Sequence, residues 1–117
     1  VGNRANVYIH EGDRPGVYLY THWDGTELPQ YTRDAMATER AKNRREDTAY
    51  FTRIVFEYII NAHGAIGLET GYGISADVGD GEDRIVDIDT SYGGEVRLIG
   101  YPYDWDDIPD NPYAYED

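Results

Sequence analysis

The stretch Tyr50-Phe51-Thr52-Arg53-Ile54-Val55-Phe56-Glu57-Tyr58-Ile59-Ile60 is the long apolar run of this chain, and its period decides the fold. Phe51, Ile54, Val55, Tyr58, Ile59 and Ala62 recur at the i, i+3, i+4, i+7 spacing of one helix face. Phe56 and Ile60 add a second apolar stripe, which predicts a helix covered on most sides. Asp47 or Thr48 is placed to cap its start, since a short side-chain oxygen accepts from the free first-turn N–H groups. Gly64 is placed to end it in a left-handed cap, with His63 beside the negative end of the helix dipole.

Upstream, Ala5, Val7 and Ile9 alternate with Asn6, Tyr8 and His10, the pattern of a half-buried strand over residues 4–10. Asp13-Arg14-Pro15-Gly16 supplies a turn, and Val17–His22 a returning strand with Val17, Leu19 and Thr21 inward and Tyr18, Tyr20 and His22 outward. Pro29 suits the first turn of a second helix running to Asn43, with a thin apolar stripe of Tyr31, Ala35, Met36 and Ala41. Downstream, residues 66–75 have strand character loosened by glycines, a sign of a bulge or of close approach to the backbone. Asp77–Asp83 is a turn, and residues 84–89 and 95–99 form a second hairpin around Ser91-Tyr92-Gly93-Gly94. The order ββααβββ predicts a single α+β domain over residues 1–100: a mostly antiparallel sheet with two helices on one face. Residues 101–117 form a tail of acids, aromatics and prolines, whose rings must lie on the body or on a neighbouring chain, so a homo-oligomer is one expectation.

The 117 residues carry a net charge of −13, distributed unevenly. Residues 1–58 balance at −1, whereas residues 59–117 balance at −12, with Arg84 and Arg97 their only cations. Such a field repels nucleic acid and anionic membrane, and attracts a basic protein surface. Salt adaptation accounts for the same charge, because Lys42 is the one lysine beside nine arginines and abundant Asp. No run approaches the ~20 apolar residues of a membrane span, and no charged-then-apolar leader opens the chain. A soluble protein that stays in its cell is expected. The absence of cysteine removes disulfides, thiol catalysis and thiolate metal sites.

Catalytic motifs are missing. No Gly-x-Ser-x-Gly, His-Glu-x-x-His or phosphate-binding glycine loop is present. Counting a calcium loop from Asp77 puts Gly79 and Gly81 where oxygen ligands belong. His10, His22 and His63 are out of helical reach of one another and read as two strand-surface residues and a helix end rather than a metal site. Asp87 and Asp89 share a strand face, as carboxylates on any exposed edge do. The expectation is therefore a protein that is not an enzyme and uses no metal or cofactor. What remains is a polar-aromatic set: Arg4, Tyr20, His22 and Trp23 on the first two strands, and Arg53 in the central helix. Arg53 has apolar neighbours and needs an acceptor, either Glu57 at i+4 or a bound anion.

Gly2-Asn3-Arg4-Ala5, followed by Val17-Tyr18-Leu19-Tyr20-Thr21-His22-Trp23-Asp24-Gly25, resembles a group of small phage, prophage and archaeal-virus proteins. Those open on Gly-Asn-Arg-Ala and carry a Tyr-Leu-x-His-Trp-(Asn/Asp)-Gly stretch a little further on. The resemblance covers roughly the first 25 residues. The chain departs from the pattern by extra residues before His22-Trp23 and by its acidic aromatic tail. The resemblance implies a viral source and brings no activity with it. A short acidic viral chain without catalytic motifs fits an accessory, counter-defence role in the host cell cytoplasm. In one mechanism Arg4, Tyr20, His22, Trp23 and Arg53 sequester a small anionic ligand such as a nucleotide immune signal. In another the acidic half mimics nucleic acid on a basic host protein, and a structural accessory protein is a third reading.

Overall fold

The computed structural model describes residues 2–111 of the chain. The elements run β1 (Ala5–His10), β2 (Val17–Thr21), α1 (Leu28–Met36), α2 (Glu39–Asn43), α3 (Thr48–Ala62), β3 (Tyr72–Ser75), β4 (Ile85–Asp89), β5 (Val96–Ile99) and a final 3-10 turn at Trp105–Asp107. One sheet of order β3-β2-β1-β4-β5 carries all five strands. Its pairings are antiparallel except for the central one, where β1 and β4 run parallel with Asn6 beside Ile85 and His10 beside Asp89. This is the α+β fold that the pattern predicts, with three helices on one face rather than two.

The extra helix comes from a break in the expected 29–43 segment. At Ala37 the backbone N–H turns back to the Arg33 and Asp34 carbonyls, and the chain extends at Thr38. The Thr38 hydroxyl then accepts from the Ala41 N–H and caps α2. At the start of α3, Asp47 holds the cap position without a side-chain cap bond and pairs instead with Arg44, while the Thr48 hydroxyl bonds Thr90. Neither side chain caps α3. Gly64 ends α3 with φ +73°, the left-handed conformation a Cβ disfavours. His63 stacks on Tyr31 with ring centroids 3.3 Å apart, and burial lowers its pKa, so it adds no charge at the helix end.

Phe51, Ile54, Val55, Phe56, Tyr58 and Ile59 of α3 are buried against the inner faces of the strands, Ala5, Val7 and Ile9 of β1, Leu19 of β2 and Val86 and Ile88 of β4. The other face of the sheet carries Tyr18, Tyr20, Asn6, Tyr8, His10, Ile85, Asp87 and Asp89, by the same alternation. Ala62, expected on the apolar face, is exposed. The glycine-loosened segment is a strand only over Tyr72–Ser75, because Gly67 (φ +79°) and Gly71 (φ +118°) break the ladder and leave Ile66 and Leu68 exposed.

After β5 the chain crosses back over the helical layer. Ile108 is buried, the Gln30 amide donates to the Pro109 carbonyl at 3.0 Å, and Arg33 lies over the Trp105 ring and pairs with Asp110. The rest of the tail, residues 112–117, lies outside the described residues.

Candidate functional site

Four of the five residues singled out in the sequence meet at one corner of the sheet, where β1 begins and β2 ends. The hairpin register pairs Ala5 with Thr21, so Arg4 falls opposite His22. The His22 backbone is held on both sides: its N–H donates to the Gly71 carbonyl at 2.9 Å, and its carbonyl accepts from Asn3 N–H at 2.7 Å. Its ring takes two donors on Nδ1, the Tyr20 hydroxyl at 3.0 Å and Arg4 Nε at 3.4 Å. Arginine only donates, so Nδ1 is an acceptor and the neutral ring carries its proton on Nε2. Trp23 packs edge-on against His22 at 4.2 Å and leaves 56% of its surface exposed.

The loop after Trp23 is fixed from three directions. Asp24 N–H donates to the Thr21 hydroxyl, its carboxylate accepts from Tyr72 at 2.8 Å, and Gly25 N–H donates to the Asn3 carbonyl at 2.7 Å. Arg84 completes the corner by donating to Asn3 Oδ1 at 2.6 Å and to the Arg4 carbonyl, while lying over Tyr101. A Cβ at Gly25 would stand 2.5 Å from the Arg84 guanidinium, and one at Gly2 would stand 2.6 Å from the His22 carbonyl. Only glycine fits at either place. The stretches Gly2–Ala5 and His22–Gly25 are therefore packed against each other.

Beside this corner, on the open face, lies a groove of about 290 Å³ lined by Tyr20, His22, Trp23, Thr70, Gly71, Tyr72 and Gly73. Gly73 faces Tyr20 across the β2–β3 pair, and with no side chain there the Tyr20 ring borders open space. The groove offers aromatic faces, a hydroxyl and, at its rim, the Arg4 guanidinium. Its Tyr20 hydroxyl is already bonded to the His22 ring.

Arg53 belongs elsewhere. Its side chain is 57% exposed rather than buried, and it pairs with Glu57 one helical turn on. It borders a separate apolar groove with Val17, Phe56, Ile60 and Ile74. Val17 begins β2 and His22 follows its end, so the length of that strand separates Arg53 from the corner.

A second cluster on the open face was not singled out in the sequence. His10 Nδ1 faces the Gly12 carbonyl at 2.8 Å and Nε2 faces Asp87 Oδ1 at 2.6 Å. Both nitrogens meet acceptors, an arrangement that favours the doubly protonated, positively charged ring. Burial opposes that charge, but the hydrogen bonds to Asp87 and Gly12 and the charges of Asp87 and Asp89 outweigh it and raise the pKa above 6.5. Asp89 accepts from the backbone N–H groups of Gly12 and Ser91, which lowers its pKa to about 2. Tyr8 stacks between His10 and Tyr18. With every polar atom of the His10 ring engaged, the cluster ties the first turn to β4 and leaves no nitrogen for a metal. No group of three or more His, Asp or Glu side chains among the described residues is arranged to hold one.

Comparison of the chain with protein-family models, with characterised proteins and with solved structures finds no match. No helix among the described residues is long and apolar enough to cross a membrane. Function has to be argued from the corner itself.

Proposed function

We propose that this protein is a non-catalytic binding protein that takes a small anionic ligand bearing a planar ring, such as a nucleotide, into the β2–β3 groove. The observation that carries this reading is the meeting of Arg4, Tyr20, His22 and Trp23 around an open groove, with Trp23 held by its neighbours yet more than half exposed. An aromatic fixed in place and left in solvent is a stacking surface whose ordering cost is already met. Arg4 supplies a fork of donors for a phosphate or carboxylate. Taken with the viral resemblance, the role is sequestration of a nucleotide signal in the host cell as counter-defence.

Calorimetry or thermal shift against a panel of mono- and cyclic nucleotides tests this. The native protein should bind at least one of them. Trp23→Ala should weaken that binding by about 1–3 kcal/mol, the usual worth of a stacked base, and Arg4→Ala should abolish it without unfolding the domain. Arg53→Ala should bind like the native protein. Failure of every nucleotide to bind sinks the proposal.

The exposed carboxylates of Asp77, Asp80, Glu82 and Asp83, spread along one loop that reaches the Tyr20 ring, favour a second reading. There the loop imitates a phosphate backbone and occupies a basic host surface. Pull-down of a basic host protein that is lost when these four acids become amides, but survives Trp23→Ala, would establish it.

A further inference from the structure

Asn6 lies in the central strand on the open face, between Tyr20 of β2 and Ile85 of β4. Its side chain is fully buried, and neither Oδ1 nor Nδ2 has a hydrogen-bond partner among the described residues. A buried amide without partners has given up water for nothing, and folded proteins rarely carry one. Packing alone would be served by an apolar residue, as it is by Val7 on the opposite face.

The loop of residues 77–83 passes over the neighbours of Asn6. A Cβ at Gly79 would stand 3.4 Å from the Tyr20 ring, and one at Gly81 would stand 2.6 Å from the Ala5 nitrogen. The loop thus runs across Tyr20 and the start of β1. Gly81 is its one buried residue, and its hydrogen bonds are local, Asp77 N–H to Ser75 Oγ and Arg84 N–H to the Gly81 carbonyl. Four carboxylates crowded into seven residues repel one another and loosen it further. Displacing this loop would join the Asn6 amide to the groove already lined by Tyr20.

We infer that Asn6 reads the edge of the bound ring: with the loop lifted, its carboxamide pairs with a nucleobase that offers a donor next to an acceptor, as adenine does. This rests on the groove reading above and adds the class of base to it. A carboxamide presents one acceptor and two donors in a plane, and the bidentate Asn–adenine pair through N6 and N7 uses one of each. Tyr20, directly across from Asn6, gives the base a face to lie on while its edge meets the amide. A peptide group offers the same two atoms but no ring for Tyr20, and Arg4 at the rim accounts for the phosphate.

The test compares adenosine 5′-monophosphate with purine riboside 5′-monophosphate on the native protein and on Asn6→Leu, by calorimetry and thermal unfolding. Purine riboside lacks the 6-amino group, so it offers only acceptors on either edge beside C6 and cannot make the pair. The native protein should bind the adenine nucleotide roughly 5- to 100-fold more tightly, the discrimination a bidentate pair provides. Asn6→Leu removes two unsatisfied polar atoms at similar size, so its melting temperature should rise while its preference for adenine disappears. A lower melting temperature in both Asn6→Leu and the smaller Asn6→Val would show that the amide is satisfied in the folded chain and overturn the inference. Equal binding of both nucleotides by the native protein overturns the role of Asn6 alone and leaves the groove reading standing. Binding of neither overturns both. The native comparison holds whether or not a variant folds.

Discussion

His10 has no nitrogen to spare, and that makes it the residue through which pH acts on this fold. Its pKa in the folded chain lies above the ordinary 6.5, so the stability it adds is fully present below 6.5 and is lost as pH rises through the raised value. Asp89 works in the other direction: with a pKa of about 2 against 3.8, its contribution is present above 3.8 and is lost as pH falls toward 2. Thermal unfolding across pH should therefore show a decline as pH rises above 6.5 that disappears in His10→Gln, whose acid limb should persist. A native-like decline with rising pH in that variant would mean the imidazolium is not its source. Of this cluster, the outward phase of Tyr8, His10 and Tyr18 and the shared strand face of Asp87 and Asp89 were legible in the sequence. The pairing with Asp87 was not, because the two residues are 77 apart and nothing local announces that β1 and β4 run parallel. Asn6 hid for a related reason: an outward position in an alternating strand reads as solvated until the loop over its neighbours is known.

At the scale of elements, α3 holds the domain together. Ile59 is fully buried, and Ile59→Ala should cost about 2–5 kcal/mol, the sum of lost transfer energy and the cavity left behind. Denaturant unfolding should show a clearly lower midpoint, and an unchanged one would place the core elsewhere. Both α3 and the first hairpin were legible, since strong apolar period and turn chemistry agree along each. The corner of Arg4, His22 and Trp23 followed from counting outward from the turn. Arg53 did not follow, because position along a helix leaves rotation about its axis unfixed, and its guanidinium turned out toward Glu57. The break at Thr38 was disguised by an apolar stripe that continues through it, although Thr38-Glu39 is itself a cap followed by an acidic first turn.

For the whole molecule, charge is the strongest influence on stability after packing. With −13 overall and the acids concentrated after residue 58, the folded chain repels itself, and counter-ions screen that repulsion. The melting temperature should be higher in molar KCl than in dilute buffer, and a flat or falling dependence would separate the acidic surface from any adaptation to salt. The parallel contact between β1 and β4 has a further consequence, for synthesis. The strand at the middle of the sheet is made first of the five, and β2, three helices and β3 all follow before its parallel neighbour β4. Until then the ribosome holds a hairpin with one flank unpaired and an apolar helix covered only in part. The sheet cannot close by zipping along the chain as it emerges. It has to wait for β4, so the open flank of β1 is the part of the fold that has to be kept from pairing with a neighbouring copy.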